Sequence, residues 1–86
     1  MNWTVCPTLD AQRQLEALDR PVRDRVIKAL ARLACDPYAS PNVKALRGKK
    51  GRYRLRVGDW RVLYTLDRDV LVVLVVEVAH RREAYR

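Results

Sequence analysis

"GRYRLRVGDWRVLY", Gly51–Tyr64, is the stretch that decides the fold. Tyr53, Leu55 and Val57 alternate with Arg52, Arg54 and Arg56. A period of two marks a strand with one buried face. Gly58–Asp59 is a two-residue turn of hairpin type. Trp60, Val62, Tyr64 and Leu66 then alternate with Arg61, Leu63 and Thr65 on the returning strand. Such a turn fixes the register. Val57 faces Trp60, Arg56 faces Arg61, Leu55 faces Val62 and Arg54 faces Leu63. The apolar set forms the core face, and Arg54, Arg56 and Arg61 share the opposite one.

Like charges directly across a strand pair cost a few tenths of a kcal/mol to about 1 kcal/mol. A sheet built for stability alone would carry a carboxylate at one of these two positions. Glu77 offsets part of the repulsion if it lies on the same face. The alternatives are a merely solvated face and an anion site in which guanidinium forks grip phosphate.

Working outward, "DRD" (Asp67–Asp69) makes the next turn and "VLVVLVVEVA" (Val70–Ala79) is a strongly apolar strand. An unbroken apolar run suggests an inner strand or one covered on both sides. Towards the N-terminus, "CDPYASPN" (Cys35–Asn42) stops a helix, and "VKALRGKKG" (Val43–Gly51) reads as a basic loop. Val22, Val26, Ala29, Leu30 and Leu33 have helical spacing behind Pro21, with Arg23, Arg25, Lys28 and Arg32 mostly elsewhere on the wheel. Leu9, Leu15 and Leu18 give a shorter helix, capped by Thr8 and ending near Leu18 or Asp19. Trp3–Cys6 is a short first strand. The expected class is α+β: a small antiparallel sheet in the order β-α-α-β-β-β, with an N-terminal helical hairpin packed on one face.

Eighty-six residues make one domain, 1–86, with a thin core and no room for a deep pocket. An apolar content of 49% argues against disorder. The net charge of +8 favours polyanionic partners, nucleic acid first and an acidic protein second. The charge is not gathered on one amphipathic helix, and no apolar run spans a bilayer, so no membrane role is expected. The start lacks a signal-peptide pattern, and a cytoplasmic protein is expected. Cys6 and Cys35 lack metal or redox spacing and are expected to be small buried thiols.

The tail "AHRREAYR" (Ala79–Arg86) gathers His80, Arg81, Arg82, Tyr85 and Arg86. These supply proton-transfer, charge-stabilising and stacking groups beside a phosphate-binding face. A basic, fraying terminus is the bland alternative.

Together, "LRGKKGRYRLRVGDWRVLYTL" (Leu46–Leu66), the apolar strand and "HRREAYR" (His80–Arg86) resemble the RelE/ParE superfamily of bacterial toxins, on the RelE side. The resemblance implies a toxin of a type II toxin–antitoxin pair. Such toxins enter the ribosomal A site and cut messenger RNA, with the ribose 2′-hydroxyl as nucleophile and no metal or other cofactor. It implies an acidic RelB-like antitoxin as partner, beside the ribosome and messenger RNA, and a free toxin that is monomeric. By position it assigns catalytic roles to Arg54, Arg56, Arg61, Arg81 and Tyr85. Arg56 and Arg61 stabilise the transition state, Arg81 assists the leaving oxygen, and Tyr85 stacks on a base. Lys44, Arg47, Lys49 and Lys50 would touch ribosomal RNA phosphates, and Arg52, Arg82 and Arg86 extend the RNA-binding set.

Arg54 and Arg56 stand where better-known members often carry lysine. Arginine keeps its proton at working pH, so neither can be the general base. By ordinary pKa His80 is a candidate, although its position in the family is variable. Tyr85 with a lowered pKa, or a group of the ribosome, is the other. Two alternatives stay open: a gyrase-inhibiting toxin of the ParE branch, and a degenerate module that only binds antitoxin or nucleic acid.

Overall fold

The computed structural model describes residues 3–38, 42–46 and 51–80. The elements run β1 (Thr4–Pro7), α1 (Leu9–Glu16), α2 (Arg20–Cys35), β2 (Val43–Ala45), β3 (Arg52–Val57), β4 (Trp60–Asp67) and β5 (Val72–His80). They build one five-stranded sheet in the order β1-β5-β4-β3-β2. Both helices pack on one face, so the class is α+β as the periodicities indicate.

The hairpin has the register its turn dictates: Val57↔Trp60, Arg56↔Arg61, Leu55↔Val62 and Arg54↔Leu63. Gly58 supplies a positive φ of 59° at the first turn position, the requirement of a II′-type hairpin. Leu55, Val62 and Tyr64 are buried beneath Val26, Leu30 and Leu33 of α2 and Ala11 of α1. Each fully buried Val or Leu contributes roughly 1.5–3 kcal/mol, and these few side chains are most of the core.

Four details depart from the sequence reading. Val43–Ala45 is not loop but a short edge strand, antiparallel to β3, with Lys44 opposite Arg54. Three residues are too few to show a period of two. The sheet is not wholly antiparallel, since β1 runs parallel to β5 from Thr4↔Val72 to Pro7↔Val75. The first helix ends at Glu16, and Leu9 at its start is exposed. Cys35 is exposed and Cys6 only half-buried, so neither is a core thiol.

The apolar run conceals a phase shift. The β4–β5 register jumps from Leu63↔Glu77 to Tyr64↔Val75, leaving Val76 as the extra residue of a bulge. Val73, Val75 and Val78 are buried at spacings of two and then three. Strict alternation would have turned Glu77 into the core. β5 is an inner strand, as its composition suggests, but its helix-free face is uncovered at Leu74.

β1 ends at Pro7 while β5 continues, so the outer backbone groups of β5 need other partners. Thr8 and α1 supply them. The Thr8 amide donates to the Val75 carbonyl (2.8 Å), and the Val78 amide donates to Gln14 Oε1 (2.7 Å). The Thr8 hydroxyl also accepts from the Ala11 amide at 3.1 Å, capping the helix.

Candidate functional site

The helix-free face of the sheet is where β2, β3 and β4 send their cations. The register arranges them in rows. Arg56, Arg61 and Ala79 form one, and Lys44, Arg54, Leu63 and Glu77 form the next. Arg52, Thr65 and Leu74 form a third, towards the far end. Glu77 therefore lies on the arginine face, as its charge requires if it is to temper the repulsion. Its place there depends on the bulge at Val76.

Arg54 and Arg61 are half-buried, whereas Arg56, Arg52 and Lys44 are exposed. The Arg56 Nε–H donates to the Gly58 carbonyl at 3.2 Å, which draws its guanidinium towards the hairpin end. Asn42, Val43, Lys44, Arg54 and Arg56 outline a shallow depression of about 260 Å³ along the β2 edge. Three permanent or near-permanent cations around an open hollow can hold a phosphodiester by forked, charge-assisted hydrogen bonds. None of these cations can take up a proton.

The opposite face holds the rings that fix β3 and β4 in place. Tyr53 stacks on Tyr64 (centroids 5.6 Å apart), and Tyr38 meets Tyr53 edge-on at 5.8 Å. The buried Tyr64 hydroxyl donates to the Pro37 carbonyl at 2.9 Å. Burial, with Tyr53 and Tyr38 as neighbours, pushes its pKa well above the usual phenol value. This bond ties the chain after α2 to the middle of β4.

His80 lies elsewhere. It pairs with Trp60, and the two rings meet edge-on at 5.2 Å. Trp60 packs against the core, so His80 faces the helix side, one residue out of phase with the arginines. Arg54, Arg56, Arg61, Lys44 and Arg52 are thus brought to one face, and His80 is not. Arg47, Lys49, Lys50, Arg81, Arg82, Tyr85 and Arg86 lie outside the described residues. Lys44 reads from its sequence as a loop residue. Its pairing with Arg54 makes it part of the cationic sheet face.

Residues 6–85 match the family model for the ParE toxin of the type II toxin–antitoxin system parDE. The fold is similar to that in the RelBE2 toxin–antitoxin complex of Mycobacterium tuberculosis, with a TM-score of 0.81. There the identity is 30%, over 94% of this chain and 100% of the matched one. The free E. coli RelE toxin, solved as a double mutant, shares the fold at a TM-score of 0.82 and 24% identity, covering 99% of this chain and 90% of that one. A YoeB/ParE toxin from Agrobacterium tumefaciens does so at 0.78 and 16%, covering 90% and 96%. A search of curated protein sequences returns no match. The family match runs from β1 through the arginine-bearing hairpin, and the chain belongs to the ParE toxin family, within the RelE/ParE superfamily of type II toxin–antitoxin toxins.

Proposed function

We propose that this toxin is a ribosome-dependent endoribonuclease that cuts messenger RNA in the A site. The observation that carries the reading is Arg56 placed directly opposite Arg61 on the helix-free face, with Arg54 and Lys44 in the adjoining row. A scissile phosphate above that face would meet several guanidinium groups at once.

In the reaction the ribose 2′-oxygen forms a bond to the adjacent phosphorus while the bond to the 5′-oxygen breaks. The products are a 2′,3′-cyclic phosphate and a free 5′-hydroxyl. Arg56 and Arg61 hold the extra negative charge of the five-coordinate transition state, and Arg54 positions the phosphate. Arg81 assists the leaving 5′-oxygen, and Tyr85 stacks on the messenger base. The 2′-hydroxyl proton goes to a group other than these arginines. His80, turned to the helix side, is poorly placed to take it, which leaves Tyr85 or the ribosome. No metal enters the scheme.

The solved M. tuberculosis relative is a toxin–antitoxin complex, which supports an acidic antitoxin as the partner of this chain as well. Covering a basic face with an acidic segment that folds on binding suits the charge of +8. The free toxin is read as a cytoplasmic monomer. Among the described residues no helix is long and apolar enough to cross a membrane.

The test adds purified protein to programmed ribosomes and, separately, to naked messenger. Cutting only with ribosomes is expected. Arg61→Ala should slow it about 10²–10³-fold, as loss of one transition-state donor does. If Arg61→Ala and Arg81→Ala both still arrest growth, the site is wrong. The ParE description of the family favours a second reading, gyrase inhibition. DNA breaks with intact messenger RNA on expression would select it.

A further inference from the structure

A second cationic hollow lies outside the arginine face. It is a cleft of about 280 Å³ between α2 and the end of β3, and its lining includes Arg25, Lys28, Arg32, Asn42, Arg56 and Gly58. Arg25, Lys28 and Arg32 succeed one another at spacings of three and four, so they form one stripe along the helix. Among the described residues no carboxylate lines the cleft. Among the described residues no ion pair engages these three side chains. The Arg25 guanidinium reaches across to the hairpin turn, where a side-chain carbon on Gly58 would lie 3.1 Å from its Nη2.

Arg56 lines both this cleft and the depression on the sheet face. The two hollows therefore meet around Asn42 at the end of β3, where β2 no longer covers the strand. The combined surface is a cationic track that turns over the sheet edge. Its successive members are Arg54 with Lys44, then Arg56, then Arg25 with Lys28 and Arg32.

We propose that the α2–β3 cleft is a phosphate-binding subsite for the RNA strand that crosses the arginine face, holding a phosphodiester beside the one being cut. The inference rests on the RNA-cutting reading for the identity of the strand. A flexible single strand can follow a turn over a sheet edge, which a stiff duplex cannot. Guanidinium groups gathered around one cleft can grip a phosphate through several charge-assisted hydrogen bonds. The cleft would set the strand's register over the cutting face without touching the reacting atoms.

The test measures binding of a short, labelled 2′-O-methyl oligonucleotide, which cannot be cut, to the full chain over a range of salt. All three α2 cations are exposed, so Arg25→Gln/Arg32→Gln should fold normally. That variant should bind several-fold more weakly at low salt. Its slope of log K against log salt should fall by ~0.7 for each phosphate the variant no longer neutralises. An unchanged affinity and slope in this variant, beside a reduced slope in Arg54→Gln, would overturn the subsite. So would a loss confined to duplex RNA, or one seen only with an acidic peptide. Ribosome-dependent cutting by the unaltered protein is assayed in parallel. If cutting is absent while the slope still falls, the nuclease reading fails, and the cleft stands only as a phosphate-binding site for a single strand.

Discussion

Arg56 sits directly opposite Arg61 across the β3–β4 ladder, on the face that carries no helix. Like charges in this position oppose stability, and Glu77 stands two positions along the adjoining strand on the same face. Arg56→Glu would turn this repulsion into an attraction. It should stabilise the protein by a few tenths of a kcal/mol to about 1 kcal/mol at low salt, and less at high salt. In a domain of this size 1 kcal/mol moves Tm by roughly 4–8 °C. The same change should abolish messenger cutting. Thermal melts at two ionic strengths and a cleavage assay check both halves. A variant that is less stable and still toxic would remove the functional explanation of the pair.

The register of this hairpin was legible because two signals agree. Alternation fixes the faces and Gly58–Asp59 fixes the pairing, so the cationic face follows from arithmetic. Signals that depend on a neighbour were not legible. β2 is a strand because β3 offers it a free edge, and its own three residues say little. The bulge at Val76 leaves no mark in the unbroken apolar residues Val70–Val76. Only the need to keep Glu77 out of the core reveals it. The α2 cleft had a visible half, the stripe of Arg25, Lys28 and Arg32. The other half, Arg56 with Gly58, becomes adjacent only on folding.

His80 gives a sharper test of the same geometry. Its ring meets Trp60 on the helix side, away from Arg54, Arg56 and Arg61. A general base supplies ~10²–10⁴-fold in rate, so its removal would be plain. His80→Gln should lower ribosome-dependent cutting by less than about tenfold. It should also leave the shape of the pH–rate profile unchanged. A loss comparable to that of Arg61→Ala would place the base at His80 and require the end of β5 to turn over.

Tyr64 makes stability depend on pH at the alkaline end. Its pKa is raised by burial first and by Tyr53 and Tyr38 second. In the unfolded chain it titrates near the ordinary phenol value of about 10. Below that pH both states keep the proton and the full contribution is present. Above it the unfolded chain loses a proton that the fold retains, so stability falls by about 1.4 kcal/mol per pH unit. Tyr64→Phe should cost about 1 kcal/mol at neutral pH, because the Pro37 carbonyl loses its donor. Above pH 10 the variant should lose stability less steeply than the parent. Urea melts at pH 8 and pH 10.5 measure the difference, and parallel pH dependences would contradict it.

Gly58 joins the hairpin to the α2 cleft, and its replacement should separate backbone strain from steric contact. Its φ of 59° lies in the left-handed region, where a residue with a side chain costs roughly 1–2 kcal/mol. An added Cβ would also press on the Arg25 guanidinium, 3.1 Å away. That group is the far end of a flexible side chain and can yield. Gly58→Ala should therefore destabilise the protein by about 1–2 kcal/mol, set by the backbone and not by the clash. Arg25→Ala removes the clash, so the double variant should recover little of that loss. Gly58→Asn, which tolerates positive φ better, should recover more of it. Chemical denaturation of the four proteins separates the two causes. Full recovery in the Arg25→Ala background would mean that steric contact, not backbone conformation, requires glycine at this turn.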